Sequence, residues 1–258
     1  MSSRRPSRWL SAVGLAGLVL AWQLGIAFGP QTLLPTPLAV ARALVELAAS
    51  GALFKHLAAS LFRFTWGFLL ALAFALPVGL WLGARRRAEE AAGPFLELLR
   101  PISPLAWTPL AILALGVGDL SAVAIIFVAS FLPLVLAVKN GVHNILPTHI
   151  QAGRNFGLSA YALVRKVMLP AMLPQLLVGV RIGIGIAWIV VVAAEMLAVN
   201  SGLGFLIIDA RNAGNRYDLV VAGMVMIGVV GMALDVLVRR LERLPQVRWG
   251  YAGSDAGR

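Results

Sequence analysis

The sequence predicts an all-α integral membrane protein with six transmembrane helices and both termini on the cytoplasmic side, and three observations predict it. The 258 residues are 60% hydrophobic and 13% charged, with a mean hydropathy of +0.87, whereas a soluble domain carries about a quarter charged residues. Apolar runs long enough to cross a bilayer recur along the chain, separated by Gly, Pro and Arg clusters. With both ends inside, sixteen of the 22 Lys and Arg fall on the cytoplasmic side and five outside, with Arg181 left in the membrane, as the positive-inside rule requires. The net charge of +11 is then that of cytoplasmic flanks, so membrane lipid is an expected partner and nucleic acid is not. Cysteine is absent, which excludes disulfides and thiolate metal sites.

Residues 1–8, with Arg4, Arg5 and Arg8, form a basic cytoplasmic N-terminus, and residues 9–240 the six-span domain. The run from Trp9 to Phe28 is as long as a bilayer is thick and longer than the core of a signal peptide, so it is read as the first span rather than a cleaved signal. Gly29 and Pro30 end it. Pro35 and Pro37 precede Leu38 to Ala49, where Leu38, Ala41, Leu44, Val45 and Ala48 make one apolar face, the pattern of an interfacial helix on the outer side. The second span, Leu61 to Gly83, places Gly67, Ala71, Ala75, Gly79 and Gly83 four apart, a ridge for close helix packing inside the subunit. Arg63, beside Phe64 and Trp66, reads as an interface anchor. Arg85, Arg86 and Arg87 mark the inside, and a surface helix follows up to Arg100.

Pro101, Pro104 and Pro109 crowd the start of the third span, so a regular helix is not expected before about Leu110. Irregular backbone at membrane depth is tolerated only where it is packed in protein or lines a cavity. Ser103, Trp107 and Thr108 are therefore candidates for a translocation path, with Ser130 and Asn140 added by location. Gly116 to Asp119 makes a tight outer turn, and the fourth span, Leu120 to about Val138, contains Pro133. The fifth span follows Pro174 and reaches Ala198, with Gly179, Gly183 and Ala187 as a second ridge. Arg181 is expected to snorkel. Glu195 lies fourteen residues, roughly 21 Å, from Arg181, so it needs a partner on another helix and is read as a structural or gating group of the path. Outside, Asp209, Arg211, Arg216 and Asp218 are interleaved with Leu206, Ile207 and Ile208, a pattern that suits docking of a partner protein and equally an ordinary solvated loop. The last span, Leu219 to Val238, leads through Arg239 and Arg240 to a cytoplasmic tail, 241–258.

One long segment, Ile150 to Pro174, is too polar to cross a membrane although membrane-grade runs flank it. Asn155 and Gly157 interrupt it and Ser159 can cap a helix. Tyr161, Leu163, Val164, Val167 and Met168 then recur at helical spacing until Pro170 is expected to stop the turn. Gln151, Ala152, Gly153, then Gly157, then Val167, Leu169 and Pro170 follow the spacing Glu-Ala-Ala, three residues, Gly, nine residues, Ile, one residue, Leu-Pro, with Gln151 for Glu, Gly153 for Ala and Val167 for Ile. The segment thereby resembles the cytoplasmic coupling loop, here 148–170, of the membrane subunits of binding-protein-dependent ABC importers. The Pro101 to Asp119 stretch, and Ala194-Glu195-Met196 with Ser201 to Gly204, resemble the permeases of nitrate, taurine, alkanesulfonate and bicarbonate uptake.

That resemblance implies the type I ABC importer permease fold in a bacterial inner membrane, and a homodimer of two copies. It further implies two cytoplasmic ATPase subunits and a periplasmic or lipid-anchored substrate-binding protein. The loop residues Arg154, Phe156, Leu158, Tyr161, Val164 and Arg165 would form an aromatic and basic knob for the ATPases, and the cargo would be a small oxyanion, nitrate or alkanesulfonate and taurine first. A permease of the same type for another small organic ligand, or a secondary transporter not driven by ATP, is the alternative. No GxxxxGK[ST] loop occurs, so ATP and Mg are expected on the partner ATPase and no cofactor on this chain. His56, His143 and His149 lack metal-ligand spacing, and no nucleophile elbow or carboxylate pair shares a span. A non-catalytic transport subunit is the expectation.

Overall fold

The computed structural model describes residues 8–28, 34–212 and 214–242, so residues 1–7, the break at Gly29 and Pro30, and the tail from 243 lie outside the described residues. Every regular element among them is helical. The chain runs through α1 (Arg8–Phe28), α2 (Pro37–Ala49), α3 (Ala52–Ala84), α4 (Arg86–Leu99), a 3-10 turn at Pro104–Trp107, α5 (Thr108–Leu115) and α6 (Asp119–His143). It continues through α7 (Pro147–Asn155), α8 (Ala160–Leu163), a π turn at Val164–Met168, α9 (Leu169–Ala198), α10 (Leu203–Asn212) and α11 (Tyr217–Glu242).

Among the described residues four helices are long and apolar enough to cross a membrane: Ala52–Ala84, Asp119–His143, Ala160–Ala198 and Tyr217–Arg240. A fifth arises if α4 and the Pro104–Leu115 segment, bent by 87°, count as one broken span, and α1 adds a shorter apolar stretch, Ala16–Ile26. The bend falls where the prolines cluster. Pro109 sits in the first turn of α5, where its missing N–H costs nothing, so α5 starts at Thr108 rather than at Leu110.

The bundle is built on α6, which packs along α3 on one side and α9 on the other. The first glycine ridge makes the α3–α6 seam. A methyl group on Gly67 would lie 2.7 Å from Ile126, on Gly79 2.5 Å from Val138, and on Gly83 2.7 Å from Val142. The ridge is spent on packing inside the subunit. Gly183 does the same on α9, against Phe68 and Leu134.

Four expectations change. The second apolar helix begins at Ala52, well before Leu61, which carries Arg63 inside the bundle instead of leaving it at an interface. Helix α2 buries Val40, Ala43 and Leu47, while Leu38 and Val45 stay exposed, because it packs against α11 and α3 and takes its inward face from them. Pro170 does not stop the second loop helix: helical backbone runs from Ala160 to Ala198, and the wider π turn just before Pro170 relieves the demand for the N–H that proline lacks. Arg181 does not merely reach for the membrane edge: it pairs with Asp235 of α11 at 3.1 Å.

Candidate functional site

Three places carry the polar chemistry. The first is the polar loop between α6 and α9. Helix α7 ends in a Schellman turn: Gly157 takes φ +70°, its N–H donates to the Arg154 carbonyl at 2.9 Å, and the Leu158 N–H donates to the Gly153 carbonyl at 3.1 Å. The Ser159 hydroxyl then accepts from the Ala162 N–H at 3.3 Å and starts α8. Gly153 is buried where α7 crosses α8, and a methyl there would lie 2.7 Å from Leu163 and 3.3 Å from Val167. Beneath the loop, Val138, Val142, Ile145, Met168 and Met172 join the ends of α6 and α9 in one apolar cluster. Phe156 and Tyr161 stand 87% and 74% exposed, with Gln151, Ala152, Arg154 and Arg165 also exposed. Leu158 and Leu169 are half-buried, and Pro170 lines an open groove of about 510 Å³ beside Phe156 and Leu158. Val164 packs on the cluster below, so it anchors the knob instead of belonging to it. No Asp or Glu occurs between Pro147 and Pro170.

The second place is a cavity of about 400 Å³ between the broken α4–α5 connection, α6 and Ile186 of α9. Of the five uncharged path candidates the structure brings only Trp107 to its wall. Thr108, the next residue, is buried and its hydroxyl has no hydrogen-bond partner among the described residues. Ser130 is buried but donates to the Ile126 carbonyl of its own helix at 2.9 Å, while Ser103 and Asn140 are exposed away from the cavity.

Glu195 belongs to the third place, at the other end of α9. It is fully buried, accepts from the Gly204 N–H and the Ser60 hydroxyl, both at 2.9 Å, and pairs with Arg63 at 2.8 Å. Arg63, 2% exposed, also donates to the carbonyl and hydroxyl of Ser201, and its Nε donates to Asp119 at 2.7 Å. Five segments are thereby tied at one point: α3, the N-terminus of α6, α9, the α9–α10 link and α10. Sequence reasoning foresaw that Glu195 needs a partner but missed Arg63. The signal was there, since Arg63 lies early in its span and Glu195 late in its own, which puts both near the outer face.

Asp209 and Arg211 are exposed on α10, but Arg216 and Asp218 are engaged with each other. Arg216 also pairs with Glu46 of α2 at 2.8 Å, and the two carboxylates hold its guanidinium pKa above the ordinary value. These two residues staple α2 to the α10–α11 link. Glu89 of α4 holds Lys139 at 2.9 Å and His143 at 3.2 Å on α6.

An apolar multi-helix bundle with a broken helix at a cavity and an exposed knob between α6 and α9 defines a class: the membrane subunit of a transporter. Residues 75–246 match the family described as binding-protein-dependent transport system inner membrane component. The chain belongs to that family and is a permease subunit. Among its relatives, the aliphatic sulfonates transport permease protein of Bacillus subtilis is 35% identical over 97% of this chain and 93% of its own. The taurine transport system permease protein of Escherichia coli is 35% identical over 81% and 78%, and the nitrate import permease protein of a Synechocystis species 33% over 90% and 87%. In structure, a chain of the inward-facing MetNI methionine ABC transporter superposes with a TM-score of 0.62 over 76% of this chain and 94% of that one, at 19% identity. The type I ABC permease fold is thereby shared.

Proposed function

We propose that this chain is the permease subunit of an ATP-driven importer of a small oxyanion, working as a pair of copies with two ATPase subunits and an external binding protein. The observation that carries the ATP-driven part is the loop: exposed Phe156 and Tyr161 on a turn fixed by Gly157, seated on a cluster shared by α6 and α9. A push on this knob reaches both helices through that shared cluster. The oxyanion follows from relatives named for sulfonates, taurine and nitrate. Six spans, cytoplasmic termini and placement in a bacterial inner membrane belong to the same reading.

The test replaces Gly157 by Val. Open space surrounds Gly157, so the substitution acts through its left-handed backbone alone, at a cost of about 1–2 kcal/mol. The variant is expected to insert at normal levels and to lose most uptake together with co-purification of the ATPase. Unchanged uptake would remove the loop from the mechanism.

A further inference from the structure

The 400 Å³ cavity has a chemistry of its own. Ten of the eleven residues lining it are apolar, among them Trp107, Val128, Leu132, Pro133 and Ile186; the eleventh is Arg100. We propose that this cavity is a cargo site for an organic anion, whose charged head meets Arg100 and whose apolar body of several carbons lies among Trp107, Leu132 and Ile186. The inference rests on the importer reading and narrows its substrate.

Size is the first argument. At about 30 Å³ per water-sized group, the cavity takes roughly a dozen such groups. A bare inorganic oxyanion has the bulk of only a few and would leave most of the space empty. The wall is the second. Stripping water from a small, strongly hydrated anion against apolar side chains is unfavourable, whereas a hydrocarbon body gains by the same transfer. Charge is the third. Arg100 makes no ion pair among the described residues and is the sole charged group on the wall, so the complementary ligand is an anion. Ile186 also stands on the wall of a second cavity, with Arg181, Ile182, Ile189 and Asp235.

The full chain in nanodiscs of neutral phosphatidylcholine would be titrated calorimetrically with methane-, butane-, hexane- and octanesulfonate, with hexanol and with nitrate. Affinity is expected to rise about fourfold per buried methylene until the cavity is full, with hexanol and nitrate far weaker than hexanesulfonate. Arg100→Gln should weaken every sulfonate by about tenfold or more without altering the chain-length slope, and Arg100→Lys should restore part of the loss. Trp107→Ala should flatten the slope instead. A flat series in the native protein, nitrate binding as tightly as hexanesulfonate, or an Arg100→Gln variant that melts normally and binds normally would overturn the proposal. Displacement of hexanesulfonate by phosphatidylglycerol discs, relieved by Arg100→Gln, would assign the cavity to lipid and overturn it equally. Uptake assays in cells separate the two readings: nitrate uptake without sulfonate binding sinks the cavity and keeps the importer, while sulfonate binding without energised uptake of any anion does the reverse.

Discussion

Single side chains decide what holds the outer end together. Removing one member of a buried ion pair strands the other, which costs about 3–5 kcal/mol. Arg63→Leu and Glu195→Leu are therefore each expected to lower the unfolding temperature in detergent sharply. The double variant should lose much less than their sum, since it strands neither charge. Additive losses would mean that the two groups act independently. Thr108 points the other way. Its buried hydroxyl lacks a partner among the described residues, so Thr108→Val should relieve about 1–3 kcal/mol and raise the unfolding temperature. A drop in stability would show that the hydroxyl is satisfied in the folded protein.

At the scale of helices, the seam between α3 and α6 depends on side chains that are missing. Gly79→Leu would drive a branched side chain into Val138, which already stands where a methyl would touch, and is expected to abolish stable accumulation; the same change at Gly93, with open space around it, should be tolerated. Immunoblots of membrane fractions read both. Much of this level was legible beforehand, because small residues four apart, a Gly at a helix end and a Ser before a helix carry their geometry with them. Ser159, Gly157 and the glycine ridge were all readable for that reason. What was not legible depended on neighbours. The inward face of α2 is chosen by α11 and α3, and Pro170 ends a helix only if no π turn precedes it. Arg63 meets Glu195 across 132 positions, which no local pattern records. Nor is the setting of the scattered path candidates legible: Ser130 donates to its own helix and Asn140 is exposed, and neither fact shows in residue type.

For the molecule as a whole, orientation is the open quantity, and the chain is well suited to measuring it because it contains no cysteine. Single replacements Ser159→Cys and Ser254→Cys should react with a membrane-impermeant maleimide only after the cells are opened, and Arg211→Cys in spheroplasts from the start. Labelling of Ser254→Cys from outside would leave an odd number of crossings between it and the loop, and the six-span reading would fall.

The knot at Arg63 has a mechanical corollary. Its two carboxylate partners are unequal: Glu195 is sealed from solvent, whereas the Asp119 side chain is 58% exposed. Bonds to a solvated carboxylate are cheap to exchange for water, and those to a sealed one are not. Linked in series through one guanidinium, the pair behaves as a fuse: any force that draws the first turn of α6 away from α3 parts Arg63 from Asp119 first, while Arg63 stays fastened to α9 and the α9–α10 link.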